Sequence, residues 1–83
     1  MSSDRYSNEN ERLRLLLKEY RKASALTQEE LALRLEVPQS WISKVESGER
    51  ILSFVEVLKL CSALGVSIRE LATQFEQGEN ESK

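Results

Sequence analysis

The order of apolar and polar residues predicts a helix near the start of the chain. Four apolar residues recur at the i, i+3, i+4, i+7 spacing that lines one side of a helix. They are Leu13, Leu16, Leu17 and Tyr20. We therefore expect a first helix from about Glu9 to about Ala23, with one buried stripe.

Three hydroxyl–glutamate pairs predict where further helices begin. In each pair a serine or threonine stands three residues before a glutamate and ahead of an apolar periodic run, which is the pattern of a capping box. The pairs are Thr27–Glu30, Ser53–Glu56 and Ser67–Glu70. They predict helices over about 27–35, 53–64 and 67–77, and the apolar positions of the 53–64 helix include Val55, Leu58 and Cys61.

The segment 36–38 predicts a turn followed by one more helix. Proline disfavours the helical conformation at the preceding Val37, and Pro38 itself suits the first turn of a new helix. This helix, the third in chain order, is expected to run from about Pro38 to Ser47, and Gly48 is expected to end it. Five helices without β-branched runs predict an all-α fold. The predicted organisation is a flexible N-terminal arm over 1–8, one domain over 9–77 and a disordered tail over 78–83.

The second and third helices are short and joined by about three residues, which is the spacing of a helix-turn-helix unit. Five apolar residues are expected to hold the two helices to the core, and the small Ala32 is expected where the helices cross. The five are Leu31, Leu35, Val37, Ile42 and Val45.

The third helix carries a polar arc opposite its buried Ile42 and Val45. The arc consists of Gln39, Ser40, Ser43, Lys44 and Ser47. Amide, hydroxyl and ammonium groups bind base edges and phosphates. An ordinary solvated face is the alternative interpretation, but such a face in a chain with 31% charged residues would be expected to include glutamate. The missing carboxylate favours contact with the DNA major groove.

The composition of the chain limits which functions and which cellular locations are expected. The net charge of −2 argues weakly against nucleic-acid binding, although basic residues are concentrated in the first quarter of the chain and acidic residues in the tail. With no His and a single cysteine, Cys61, we expect no metal, no cofactor and no enzymatic activity. A polar, acidic start and the lack of a long apolar run predict a cytoplasmic protein without a membrane segment. No small-molecule ligand is evident.

At residues 26–32 and 37–50 the sequence resembles the phage-repressor helix-turn-helix family (lambda repressor/Cro-like, xenobiotic-response-element type). The resemblance extends over about residues 9–75 and implies a compact five-helix domain. Members of this family usually bind palindromic operators in double-stranded DNA as dimers. The implied function is a sequence-specific transcription regulator, and the repressor role is the expected one.

The resemblance also implies roles for individual residues. Base contacts are expected from Gln39, Ser40 and Lys44. Contacts with the DNA backbone are expected from Gln28, Ser43, Arg50 and Ser53. Glu46 matches a buried glutamate that pairs with an arginine of the first helix, here Arg21. Two positions depart from the family pattern: Glu36 stands where glycine is usual, and Pro38 replaces a capping hydroxyl.

Two assignments and the function itself leave alternatives. Trp41 either packs partly against the core or contacts the sugar–phosphate edge or a thymine methyl. The stripe of Ile68, Leu71 and Phe75 either completes the core or forms a homodimer interface, and we expect the interface. The alternative function is a protein-interaction module of the same fold, an antitoxin or adapter, in which DNA binding is secondary.

Overall fold

A computed structural model describes the backbone of residues 2–81 and the side chains of residues 8–78. The described backbone forms five α-helices and no strand: α1 (Ser2–Ala23), α2 (Gln28–Leu35), α3 (Gln39–Ser47), α4 (Phe54–Leu64) and α5 (Ile68–Glu81). The predicted all-α, five-helix fold is therefore confirmed. In this part of the chain no helix is long and apolar enough to cross a membrane.

Capping boxes begin α2 and α4, as predicted. The Thr27 hydroxyl accepts a hydrogen bond from the Glu30 amide at 3.0 Å, and the Glu30 carboxylate accepts one from the Thr27 amide at 2.9 Å. Ser53 and Glu56 repeat this arrangement at the start of α4. At α5 the Ser67 hydroxyl caps the Glu70 amide at 3.0 Å, whereas the Glu70 carboxylate lies toward Tyr20, whose hydroxyl donates at 3.5 Å.

The turn between α2 and α3 closes on Glu36 in the left-handed conformation, with φ 60° and ψ 44°. The Val37 amide donates to the Ala32 carbonyl at 3.0 Å, so the end of α2 is satisfied without a glycine. Pro38 occupies the N-cap position of α3 and provides no side-chain cap, as its chemistry requires.

The core is built where the five helices meet. Ala32 is buried with Leu31, Ile42 and Val45, and Leu35 and Val37 are partly buried against the same cluster, so the helix-turn-helix packing positions lie as expected. Of the apolar α4 positions named from the sequence, Cys61 is buried, whereas Val55 and Leu58 are 58% and 37% exposed. The face toward the core comprises Val57, Leu60, Cys61 and Leu64. Because apolar residues cover more than one side of α4, periodicity alone does not select the buried side.

The outer ends of α1 and α5 also differ from the predicted boundaries. α1 begins at Ser2 and not near Glu9, because residues 2–8 contain no proline or glycine to stop a helix that is already formed. α5 continues to Glu81 through Gly78, since a glycine weakens a helix by only about 1 kcal/mol. Met1 of the predicted arm and residues 82–83 of the predicted tail lie outside the described residues, and the flexibility of both ends stays a prediction.

Candidate nucleic-acid interface

One side of α3 faces away from the core and carries the polar arc. Ile42 and Val45 are buried, with exposures of 1% and 3%. Gln39, Ser40, Lys44 and Ser47 are exposed, and Ser43 is half-buried. The arc has the two properties that base and phosphate contacts require: its side chains reach solvent, and none of them is a carboxylate.

A buried ion pair fastens α3 to α1. Arg21 Nε donates to Glu46 Oε2 at 2.6 Å, and Arg21 Nη2 donates to Glu46 Oε1 at 3.1 Å. Arg21 Nη1 also donates to the Leu26 carbonyl at 2.7 Å, so the guanidinium binds both α3 and the loop before α2. Burial alone would raise the pKa of Glu46, but hydrogen bonds from Arg21 and Gln28 outweigh it and hold that pKa below its ordinary value. The carboxylate is therefore ionised at neutral pH.

Two glutamine side chains extend this ion pair to the exposed start of α3. Gln28 Nε2 donates to Glu46 Oε1 at 2.8 Å, and Gln39 Nε2 donates to Gln28 Oε1 at 2.6 Å. The sequence prediction placed Gln28 on a phosphate and Gln39 on a base, and it missed the contact between them. We call this chain of side chains, from Arg21 through Glu46 and Gln28 to Gln39, the glutamine relay.

Arg14 is a second α1 arginine that holds α3, and the sequence prediction gave it no such role. Its Nη1 donates to the backbone carbonyl of Glu46 at 2.7 Å, near the end of α3. A Cβ on Gly48 would lie 3.0 Å from Arg14 Nε, so glycine at this position leaves room for the guanidinium. The only sequence signal was that Arg14 and Arg21 lie two turns apart on one side of α1.

The loop after α3 places Arg50 over Trp41. The Arg50 guanidinium lies 4.9 Å from the centroid of the Trp41 ring, and its Nη2 donates to Glu56 Oε2 at 2.5 Å. Hydrogen bonds from the Ser53 amide and from Arg50 lower the pKa of Glu56. Four of the predicted DNA-contacting residues line one surface cleft: Ser40, Trp41, Lys44 and Arg50. Pro38, Glu49 and Ile51 line the same cleft.

Trp41 has features of both interpretations made from the sequence. It is half-buried and packs against the core, and its ring also lines the cleft beside Lys44. Ser53 uses its amide and its hydroxyl oxygen in the capping box, which leaves its hydroxyl proton to donate to a phosphate.

The predicted dimer stripe on α5 is largely occupied within the chain. Leu71 is 3% exposed in the core, and Ile68 is half-buried against it, which contradicts the use of Leu71 by a partner. Phe75, also on α5, lies under the guanidinium of Arg12, whose Cζ is 4.3 Å from the centroid of the ring. Of the six large apolar residues that are exposed in the described part of the chain, four lie on α4 and the loop before it, and the other two are Leu15 on α1 and Leu33 on α2. We call these four the α4 patch, and it comprises Ile51, Phe54, Val55 and Leu58, which are 54%, 67%, 58% and 37% exposed.

Within the described residues, no group of three or more His, Cys, Asp and Glu side chains is placed to hold a metal ion. Cys61 is buried in the core, and burial raises the pKa of its thiol. Cys61 therefore packs as a small apolar residue of the core.

Comparisons with known proteins agree with this geometry. Residues 17–71 match a family model described as helix-turn-helix. The chain is similar to control protein C.MunI from Mycoplasma sp, with 32% identity over 62 residues, 74% of this chain and 84% of that protein. It is also similar to the structure of an XRE-family like protein from Pseudomonas syringae pv. tomato str. DC3000, with 36% identity and a TM-score of 0.86 over 92% of this chain and 93% of that one. A third similarity is to the restriction-modification controller protein C.AhdI from Aeromonas hydrophila, with 38% identity and a TM-score of 0.71 over 77% of this chain and 97% of that chain.

Proposed function

The chain belongs to the helix-turn-helix family of DNA-binding transcription regulators, and from this premise we propose that it binds an inverted-repeat operator as a homodimer and represses transcription in the cytoplasm. The observation that carries the proposal is the exposed, carboxylate-free arc of α3, held in place by two arginines of α1. A rigid recognition helix loses little conformational freedom on binding, so the hydrogen-bonding energy of its side chains is available for base readout.

The proposed contacts divide by location on this surface. Gln39 and Ser40, at the start of α3, and Lys44, one turn further on, read base edges in the major groove. Gln28, Ser43, Arg50, Ser53 and Trp41 surround these residues and contact the sugar–phosphate backbone, which sets the position of α3 on the duplex. The cleft shared by Ser40, Trp41, Lys44 and Arg50 supports this division, since it places base-reading and backbone-contacting groups next to each other.

We assign the dimer interface to the α4 patch. Phe54, Val55 and Leu58 lie on one flank of α4, and Ile51 precedes them in the loop, so the exposed apolar side chains are continuous in sequence and on the helix. A second copy is the occupant that an inverted repeat requires, because two-fold symmetric DNA is bound by a two-fold symmetric protein. The self-complementary apolar side chains of the patch suit such an isologous contact.

The names of two relatives narrow the biological role. C.MunI is a control protein and C.AhdI is a restriction-modification controller protein. Both are more than 30% identical to this chain, and each is covered over most of its own length. We propose that this chain likewise controls the expression of a restriction–modification system, and that its operator lies at the promoter of those genes.

Selection from a random duplex DNA pool tests the proposal directly. We expect enrichment of an inverted repeat with half-sites about one turn apart, roughly 10 bp. Gln39→Ala and Lys44→Ala should weaken binding to the selected site by about fivefold or more while urea unfolding remains close to that of the wild type. Gln74→Ala, at an exposed position of α5, serves as the matched control outside both the DNA face and the α4 patch.

Binding without enrichment, which disappears as salt is raised, would contradict sequence-specific regulation. That result would favour the protein-interaction module of the same fold. Retained selectivity in both Gln39→Ala and Lys44→Ala would contradict the assignment of base readout to α3.

A further inference from the structure

The glutamine relay has a fixed direction of hydrogen bonding, and this direction starts at Glu46. An ionised carboxylate can only accept hydrogen bonds. Glu46 Oε1 lies 2.8 Å from the Gln28 amide, so the Gln28 atom facing it must be the nitrogen. If Gln28 were turned over, two oxygen atoms would face each other at that distance without a proton between them.

The same argument carries one step further along the chain. With its nitrogen on Glu46, Gln28 turns its carbonyl oxygen toward Gln39. Gln39 lies 2.6 Å from that oxygen and must therefore present its own nitrogen to it. One N–H of Gln39 is consumed in this contact, and its second N–H and its carbonyl oxygen stay available.

The remaining donor and acceptor of Gln39 define which base it matches. Adenine shows an acceptor, N7, beside a donor, the N6 amino group, in the major groove, and guanine shows two acceptors, N7 and O6. A glutamine with one free N–H and a free oxygen pairs with adenine. A glutamine turned the other way would face the duplex with two N–H donors, and these match guanine.

We propose that the negative charge of Glu46 sets the base preference of Gln39, selecting adenine over guanine although Glu46 itself is buried and lies away from the DNA. Glu46 is a positioning residue that acts through Gln28. The inference rests on the proposed function, since it requires that Gln39 contact a base edge.

The test compares base discrimination between variants of the full chain. The operator is first selected with the wild-type protein, and the base pair read by Gln39 is identified as the one whose preference Gln39→Ala abolishes. Binding competition between that operator and a version with A·T replaced by G·C at this pair then gives the adenine/guanine discrimination. We expect about fivefold or more for the wild type.

Glu46→Gln should reduce this discrimination to less than about twofold or reverse it. The amide oxygen of the new glutamine accepts from Arg21 Nε, which can only donate, so its amide nitrogen faces Gln28 and no longer requires the Gln28 nitrogen there. Discrimination at the other base pairs of the operator and the dependence of binding on salt should stay as in the wild type. Glu30→Gln is the matched control, since it makes the same change on α2 near Gln28 but outside the relay, and its discrimination should equal that of the wild type.

Gln28→Met is a second variant that tests the same proposal if Glu46→Gln does not fold. It leaves the Arg21–Glu46 pair in place and removes the middle of the relay, so we expect the same loss of adenine/guanine discrimination. If Glu46→Gln folds and keeps the wild-type adenine/guanine discrimination, the proposal is overturned. If Glu46→Gln does not fold, wild-type discrimination in Gln28→Met overturns it. A wild-type protein that selects an operator without adenine at the Gln39 position would also overturn it while leaving the proposed function intact, whereas failure to select any operator would remove the proposed function itself.

Discussion

Arg14 and Glu46 are 32 residues apart in the chain, and Arg14 Nη1 donates a 2.7 Å hydrogen bond to the Glu46 backbone carbonyl. Arg21 binds the side chain of the same glutamate. α1 therefore holds both the backbone and the side chain of α3 at one residue. Because Glu46 is also part of the glutamine relay, the anchoring of α3 and the orientation of its first base-reading side chain depend on the same group.

Replacing Arg21 alone should be strongly destabilising. Arg21→Met leaves the Glu46 carboxylate buried without its cation, and such a loss costs about 3–5 kcal/mol. Urea unfolding at neutral pH measures the change. The double variant Arg21→Met/Glu46→Leu removes both charges and should recover a large part of the lost free energy. Equal losses in the single and double variants would show that packing, and not the unpaired charge, accounts for the effect.

Stability should fall as the solution is acidified through the range in which glutamate titrates. The pKa of Glu46 is lowered from its ordinary value of 4.5 in the folded chain, so the unfolded chain takes up this proton at a higher pH than the folded chain. The contribution of Glu46 is complete above pH 4.5, declines below it and is lost once pH falls through the folded pKa. Urea unfolding at a series of pH values tests this. Arg21→Met/Glu46→Leu should have a shallower slope, and an unchanged slope would assign the acid sensitivity to other carboxylates.

Two glycines in left-handed conformations allow the Arg14 contact to be tested. Gly48 and Gly65 have φ of 91° and 74°. Alanine at either position would lower the unfolding free energy by about 1–2 kcal/mol, because a residue with a side chain is strained in this left-handed conformation. At Gly65 the new Cβ meets nothing within 4 Å, whereas at Gly48 it meets Arg14 Nε at 3.0 Å. Gly48→Ala should therefore lose about 1 kcal/mol more than Gly65→Ala, as the Arg14 hydrogen bond is displaced. In an Arg14→Ala background the two losses in unfolding free energy should become equal, and a persistent difference would rule out Arg14 as the cause.

Glu36 offers a stabilising substitution. It holds φ at 60°, a conformation that costs a residue with a side chain about 1–2 kcal/mol and costs glycine little. Glycine also has more conformational entropy in the unfolded chain, which offsets part of this gain. Glu36→Gly should therefore raise the unfolding free energy by up to about 1 kcal/mol. Glu29→Gly, the same change inside α2, should lower it by a similar amount. Destabilisation by Glu36→Gly would mean that the Glu36 side chain contributes more than its backbone strain costs.

The α4 patch should control association. Val55→Glu places a charge in the proposed interface and should shift the chain from dimer to monomer in sedimentation equilibrium, since burying an unpaired carboxylate is unfavourable. Leu33→Glu is the control, because Leu33 is an even more exposed apolar residue, at 77%, but lies on α2. Loss of the dimer with Leu33→Glu and not with Val55→Glu would move the interface to α2.

The start of α2 and the start of α4 could be predicted because a capping box is a local device. Its two hydrogen bonds join residues three positions apart, so Thr27–Glu30 and Ser53–Glu56 form them without help from the rest of the chain. Ser67–Glu70 shows the limit of this rule. Its serine caps α5, but its glutamate lies toward Tyr20, a residue that sequence proximity does not bring near.

Short-range order along the sequence determined the number of helices, their order, most of their inner boundaries and the polar arc of α3, because helical periodicity and caps depend on neighbouring residues. Only the tertiary structure decided which flank of α4 is buried, because α4 is apolar on more than one side and the position of the other helices selects between them. The glutamine relay and the Arg14 contact likewise arise from tertiary packing. Each joins residues on different helices, and their donors and acceptors meet only after the core has placed α1, α2 and α3 against one another.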